Sequence, residues 1–150
     1  MPARSPRRRS DAPSTIRLDA DGVAMVLGDL EARVMEVMWD LDDPASARAV
    51  HDVVAEEHAV ALLTVVTVLN KLVTKRLLSR RKISDLLHYT PTASREEFLA
   101  TTSRQMVEGI LDFGPEAVAS SFIDVLAAGD PDRLAELSRL VRRRMREAKG

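Results

Sequence analysis

The sequence predicts a mainly α-helical chain with one small β-hairpin near its middle. Three observations lead there. Apolar residues recur at three- and four-residue steps in six separate segments, the spacing of a buried helix face. Between the third and fourth segments two short runs, "LLSRRKI" and "LLHYT", abandon that period and are bounded by polar residues. Helix punctuation (Ser46, Ser94, Pro115, Gly129) falls at segment ends. The 150 residues are 45% apolar and 30% charged, enough for a core, and with aromatics at 3% that core is built from Leu, Val, Ala, Ile and Met.

Residues 1–20 hold Pro2, Pro6, Pro13 and the basic run Arg7–Arg9 without an apolar period, and read as a disordered basic arm. Leu27 to Leu41 is the first helix: Leu27, Leu30, Val34, Met38 and Leu41 form one face, with acids between them. "DDPA" ends it, and Ser46 is placed to cap a second helix with Ala47, Val50 and Val54 inward. The third helix starts near Leu62 or Leu63. At about 100° per residue, Leu62, Val65, Val66, Val68, Leu69, Leu72 and Val73 gather on one side. Thr64, Thr67, Asn70, Lys71, Thr74 and Lys75 gather on the other. In the hairpin that follows, Ser84-Asp85 is the turn; Leu78, Arg80 and Lys82 share one strand face, and Leu77, Ser79, Arg81 and Ile83 the other. Pro91 closes it. Ser94 with Glu97 three residues on is a capping box opening the fourth helix, whose apolar side carries Met106, Ile110 and Phe113. Pro115 starts a fifth helix, which contains Phe122, and Gly129 follows it. The sixth carries a narrow stripe of Leu134, Leu137, Val141 and Met145, with acids early and arginines late as the helix dipole favours. Trp39 reads as a core anchor of the first helix.

Charge is distributed unevenly. The chain sums to −1, yet residues 63–84 carry +6 and residues 1–12 carry +3, leaving −10 on the remainder. A helix face with hydroxyls, an amide and ammonium groups but no carboxylate, followed by a basic hairpin, suits a DNA duplex. The major groove admits one α-helix, and an acid on that face would meet phosphate repulsion. Ser46 and Arg48, at the start of the second helix, offer free N–H groups and a cation to a phosphate. A lysine-rich face is in most proteins simply solvated surface. The acid-free hairpin and the two preceding helices weigh against that here.

At these residues the chain resembles a known family. "LGDLEARVMEVMWDL", "SARAVHDVV", "TVVTVLNKLVTKRLLSRR" and "HYTP" are similar to the BlaI/MecI/CopY repressors of bacteria, the penicillinase repressors. The likeness covers about residues 27–113 well and the later helices loosely. It implies a winged helix-turn-helix domain that binds operator DNA and C-terminal helices that hold a homodimer. Thr64, Thr67 and Lys71 fall on recognition-helix positions, and Arg80 to Lys82 on the wing. This chain departs from the family at several points. Arg76 stands where the family often has glycine after the recognition helix, and the wing tip reads "ISDLLH" in place of a Gly-Arg turn. There are no C-terminal cysteines of the copper-sensing type. The β-lactam-responsive members imply a membrane-bound sensor protease as partner, but the Asn-Phe bond cut in several of them is missing.

Other classes find little support. The absence of cysteine excludes disulfides, thiolate metal sites and a cysteine nucleophile. His51 and His58 are seven apart without an H-E-x-x-H pattern, and there is neither G-x-S-x-G nor a Gly-rich phosphate loop. No apolar run reaches the ~18 residues of a bilayer span. The expectation is a cytoplasmic, non-enzymatic repressor without cofactor or metal, acting as a homodimer on a palindromic operator. Its parts are the arm 1–20, a winged helix over 21–92 and a dimerisation region over 93–150. Ser46, Arg48, Thr64, Thr67, Asn70, Lys71, Lys75, Arg80, Arg81 and Lys82 meet double-stranded DNA. Met106, Ile110, Phe113, Phe122, Leu134, Leu137 and Val141 meet the second copy. The rival is a winged-helix adaptor whose basic face binds an acidic protein.

Overall fold

The computed structural model describes Arg17 and residues 22–149. The expected disordered arm thus lies, Arg17 apart, outside the described residues. A 3-10 turn, Gly22–Met25, leads into α1, Asp29–Leu41. The sequence period suggested a start at Leu27. Leu27 is buried but precedes the helix, because the chain turns before Gly28, whose extended backbone forms the N-cap. Arg17 fastens this entry. Its guanidinium donates to the carbonyls of Ala24 and Leu27 and pairs with Asp29 at 2.8 Å. Asp42 then stops α1 in the left-handed conformation.

β1 is only Ala45–Ser46. Ser46 also caps α2, Ala47–Val54, its Oγ accepting from Ala49 N at 3.2 Å. His51 Nε2 donates to Val60 O at 2.7 Å and ties α2 to the loop that enters α3, Leu62–Thr74. β2, Leu78–Ile83, and β3, Leu86–Pro91, form the hairpin. Ser84 and Asp85 both take positive φ (50° and 63°), the type I′ geometry of a two-residue turn. The sheet has three strands in the order β1-β3-β2, all antiparallel. The sequence indicated the hairpin but not β1, which is too short to show alternation.

The core of this part is Val34, Met35, Val37 and Met38 of α1, Val50 and Val54 of α2, Val65, Leu69 and Leu72 of α3, and Leu78 and Tyr89 of the sheet. Each such side chain, taken out of water, contributes roughly 1.5–3 kcal/mol. Trp39 packs at the margin, its ring 5.4 Å from Phe98, and its Nε1 donates to Ala93 O at 3.1 Å. It is a packing residue, as expected.

α4, Arg95–Phe113, opens on Ser94, whose Oγ accepts from Glu97 N at 3.1 Å. The chain divides into two compact units inside this helix, between Ser103 and Arg104. The first turns of α4 therefore belong with the winged helix, held there by Phe98 and by the Arg95–Glu36 ion pair at 3.1 Å. The second unit comprises the rest of α4, α5 (Pro115–Gly129) and α6 (Pro131–Ala148), with Asp130 capping α6 through Asp132 N. No residue of α5 or α6 is buried.

Candidate nucleic-acid interface

The site is built on α3. Its apolar side is locked into the core by Val65, Val68, Leu69 and Leu72, which fixes the direction of the opposite side. Thr64, Thr67, Lys71 and Thr74 are exposed there. Thr67 and Thr74 each donate their hydroxyl proton back to a carbonyl one turn earlier, Leu63 O and Asn70 O. What they present outward is therefore a methyl group and acceptor lone pairs. Sequence reasoning missed Leu63. It lies beside Thr64 and Thr67, is 75% exposed, and has the form of a contact for a thymine methyl. Its helical angle, not its hydrophobicity, was the signal that marked it.

Several residues of the predicted set are already engaged by other groups of the chain. Lys75 Nζ pairs with Glu31 of α1 at 2.6 Å. Asn70, half-buried, accepts from two donors on the sheet, Arg80 Nη1 at 2.8 Å and the Tyr89 hydroxyl at 3.0 Å. Arg80 is thereby drawn against α3. Register puts Arg80 opposite Tyr89 and Lys82 opposite Leu87, so Lys82 shares the face of Arg80, whereas Arg81, opposite His88, points to the other. The structure thus brings Thr64, Thr67, Asn70, Lys71 and Arg80 onto one surface and sets Arg81 apart. Ser46 is half-buried and committed to its cap, while Arg48, in the first turn of α2, is exposed.

The end of α3 is unusual. Leu77 N donates to Leu72 O and Arg76 N to Val73 O, the paired bonds of a Schellman stop, with Arg76 at φ 64°. Arginine thus occupies the left-handed position that glycine ordinarily fills.

In the second unit, Met106, Leu134 and Leu137 are half-buried, and Ile110, Phe113, Phe122 and Val141 are exposed. Phe113 is 90% exposed and Phe122 56%. Val107, Leu111, Ile123, Val125 and Leu140, which the sequence did not single out, are exposed as well.

A recognition-type helix followed by a two-stranded wing is the winged-helix arrangement, with further helices after it. The family described as penicillinase repressor matches residues 27–143, from just before α1 to late in α6. The chain belongs to the penicillinase repressor family. Relatives of this penicillinase repressor family member include the transcriptional regulator BlaI of Mycobacterium tuberculosis, strains CDC 1551 / Oshkosh and ATCC 25618 / H37Rv. Each is 30% identical over 109 residues, covering 72% of this chain and 79% of the relative. The family resemblance read from the sequence is confirmed, and the family match extends further into the C-terminal helices than that resemblance did. As a penicillinase repressor family member the chain is a transcriptional repressor. Among its described residues no helix is long and apolar enough to cross a membrane.

Proposed function

We propose that this repressor acts in the cytoplasm as a homodimer, each copy placing α3 in the major groove of one half of a palindromic operator. The observation that carries this reading is the exposed side of α3: from Leu63 to Lys75 it presents no carboxylate of its own, and Arg80 of the wing is fastened to its edge. Thr64, Thr67, Asn70 and Lys71 meet base edges. Arg48, Arg80 and Lys82, with the capped start of α2 at Ser46, hold phosphates, and Arg81 reaches one from the opposite face of the wing. Lys75 joins them by leaving Glu31. A surface ion pair of this kind contributes only about 0–1 kcal/mol, which a phosphate contact readily outcompetes.

The dimer reading rests on the second unit. Its exposed Phe113, Phe122, Val125 and Val141 would cost free energy in water and find cover in an identical surface. Two linked half-sites also raise affinity without new kinds of contact. Release follows cleavage by a membrane-bound sensor protease, the partner that the family resemblance implies; an intact chain in fully induced cells would remove that partner.

The test is a band shift with DNA from the protein's own upstream region, together with sedimentation of the free protein. A retarded, salt-sensitive complex of two chains per duplex is expected. Failure to bind DNA while binding an acidic protein would replace the repressor mechanism by the adaptor one.

A further inference from the structure

We infer that Asn70 meets DNA as a hydrogen-bond donor only: its carboxamide oxygen is locked onto the wing, so the residue selects an acceptor on the duplex and is excluded from two-point recognition of adenine. This inference rests on the reading of α3 as the DNA-facing helix and adds to it which chemistry that position accepts.

The argument begins with lone pairs. A carboxamide oxygen has two, and both are occupied here, by Arg80 Nη1 at 2.8 Å and by the Tyr89 hydroxyl at 3.0 Å. The partners also settle which end of the amide faces them, because a guanidinium has only donors and must meet oxygen. Tyr89 is 1% exposed and cannot swing aside without opening the core. Nitrogen Nδ2 is left. Among the described residues it makes no hydrogen bond, and the one buried side-chain nitrogen or oxygen without a hydrogen bond is Arg33 Nε, so Nδ2 keeps access to solvent. On the helix surface Asn70 lies between Thr67 and Thr74, its neighbours one turn either way.

Asparagine reads adenine by giving one hydrogen bond to N7 and taking one from N6, which needs both ends of the amide. Asn70 has only one end to offer. The partners that fit are guanine N7 or O6, thymine O4 or a phosphate oxygen. The same lock holds Arg80 beside α3, and among the described residues its other side-chain N–H groups have no partner and can take a phosphate.

The test selects duplexes from a randomised pool with the full-length protein and with Asn70→Asp. The substitution keeps an oxygen for Arg80 and Tyr89 and replaces the outward N–H by a carboxylate oxygen. Wild-type melting behaviour is expected, with affinity for the wild-type duplex falling roughly tenfold or more. If the acceptor is on a base, one position of the selected motif changes from guanine or thymine towards cytosine, whose N4 is a donor. If it is a phosphate, affinity falls evenly and the motif is unchanged. A changed base supports donor-only contact directly; an even fall supports it when the uncharged Asn70→Ser falls as well, and an even fall confined to Asn70→Asp is charge repulsion and overturns it. Asn70→Ser repeats the selection, so that a folding defect in the first variant does not decide the outcome; it loses the preference without gaining cytosine. An adenine position that depends on Asn70, or undiminished affinity in both variants, overturns the inference. A wild-type protein that selects no duplex overturns the repressor reading first, before any substitution is made.

Discussion

Replacing Arg76 by glycine should make the protein more stable. Arg76 closes the Schellman stop of α3 at φ 64°, and its conformation is fixed by Leu77 N to Leu72 O at 2.9 Å and Arg76 N to Val73 O at 3.0 Å. Its carbonyl also accepts from Thr92 Oγ1 at 2.8 Å, so the strained geometry is held from both sides. A non-glycine residue in that region costs roughly 1–2 kcal/mol. Glycine removes the strain but gives the unfolded chain more freedom, at about 0.4–1 kcal/mol. The difference is a gain of about 0.8 kcal/mol, which for a cooperative unit of this size raises Tm by about 3–6 °C. Trp39, the only tryptophan, sits in the same unit beside Phe98, so its fluorescence melt reports that unit. Arg76→Ala is the control: alanine removes the same charge from beside Lys75 but keeps the left-handed strain, so its Tm should stay near wild type. If both variants rise together, relief of charge repulsion explains the gain. If neither rises, the backbone argument is wrong.

Other outcomes are expected on the same footing. Lys82→Ala should lower the slope of log affinity against log salt by about 0.9, the signature of one lost phosphate contact, as measured by band shift across a salt titration. Lys75→Ala should change it less, because Lys75 is partly neutralised by Glu31. Leu63→Ala should leave Tm unchanged, since the side chain is 75% exposed, and should weaken operator binding; replacing thymine by uracil under that residue should have no further effect on the variant. Phe113→Asp with Phe122→Asp should give monomers in sedimentation with helix content retained, both side chains being exposed in the single chain. A persisting dimer would place the seam elsewhere. Ser46→Ala should cost about 1 kcal/mol by removing the cap of α2, read by denaturant unfolding.

Much of the fold was written locally. The apolar period that names Val34, Met38, Val65, Leu69 and Leu72 is the period of the helices that bury them, because a helix repeats on the scale of a few residues. Caps at Ser46 and Ser94 were legible for the same reason: donor and acceptor lie three residues apart. So was the two-residue turn at Ser84-Asp85. The family likeness was also readable, since it rests on those same segments.

What the sequence could not decide was which side chains the folded chain would bring together. β1 is a strand only because Ala45 pairs with Tyr89, 44 positions on. From the sequence Lys75 and Asn70 are two polar residues on the DNA-facing side of α3; only the fold places Glu31 against Lys75 and lays Arg80 and Tyr89 on the Asn70 oxygen. Local pattern determined where the helices lie and which side of α3 is bare. Packing determined which groups on that side still have a hydrogen bond to give. A side chain's remaining capacity depends on neighbours distant in sequence, and only the tertiary structure supplies them.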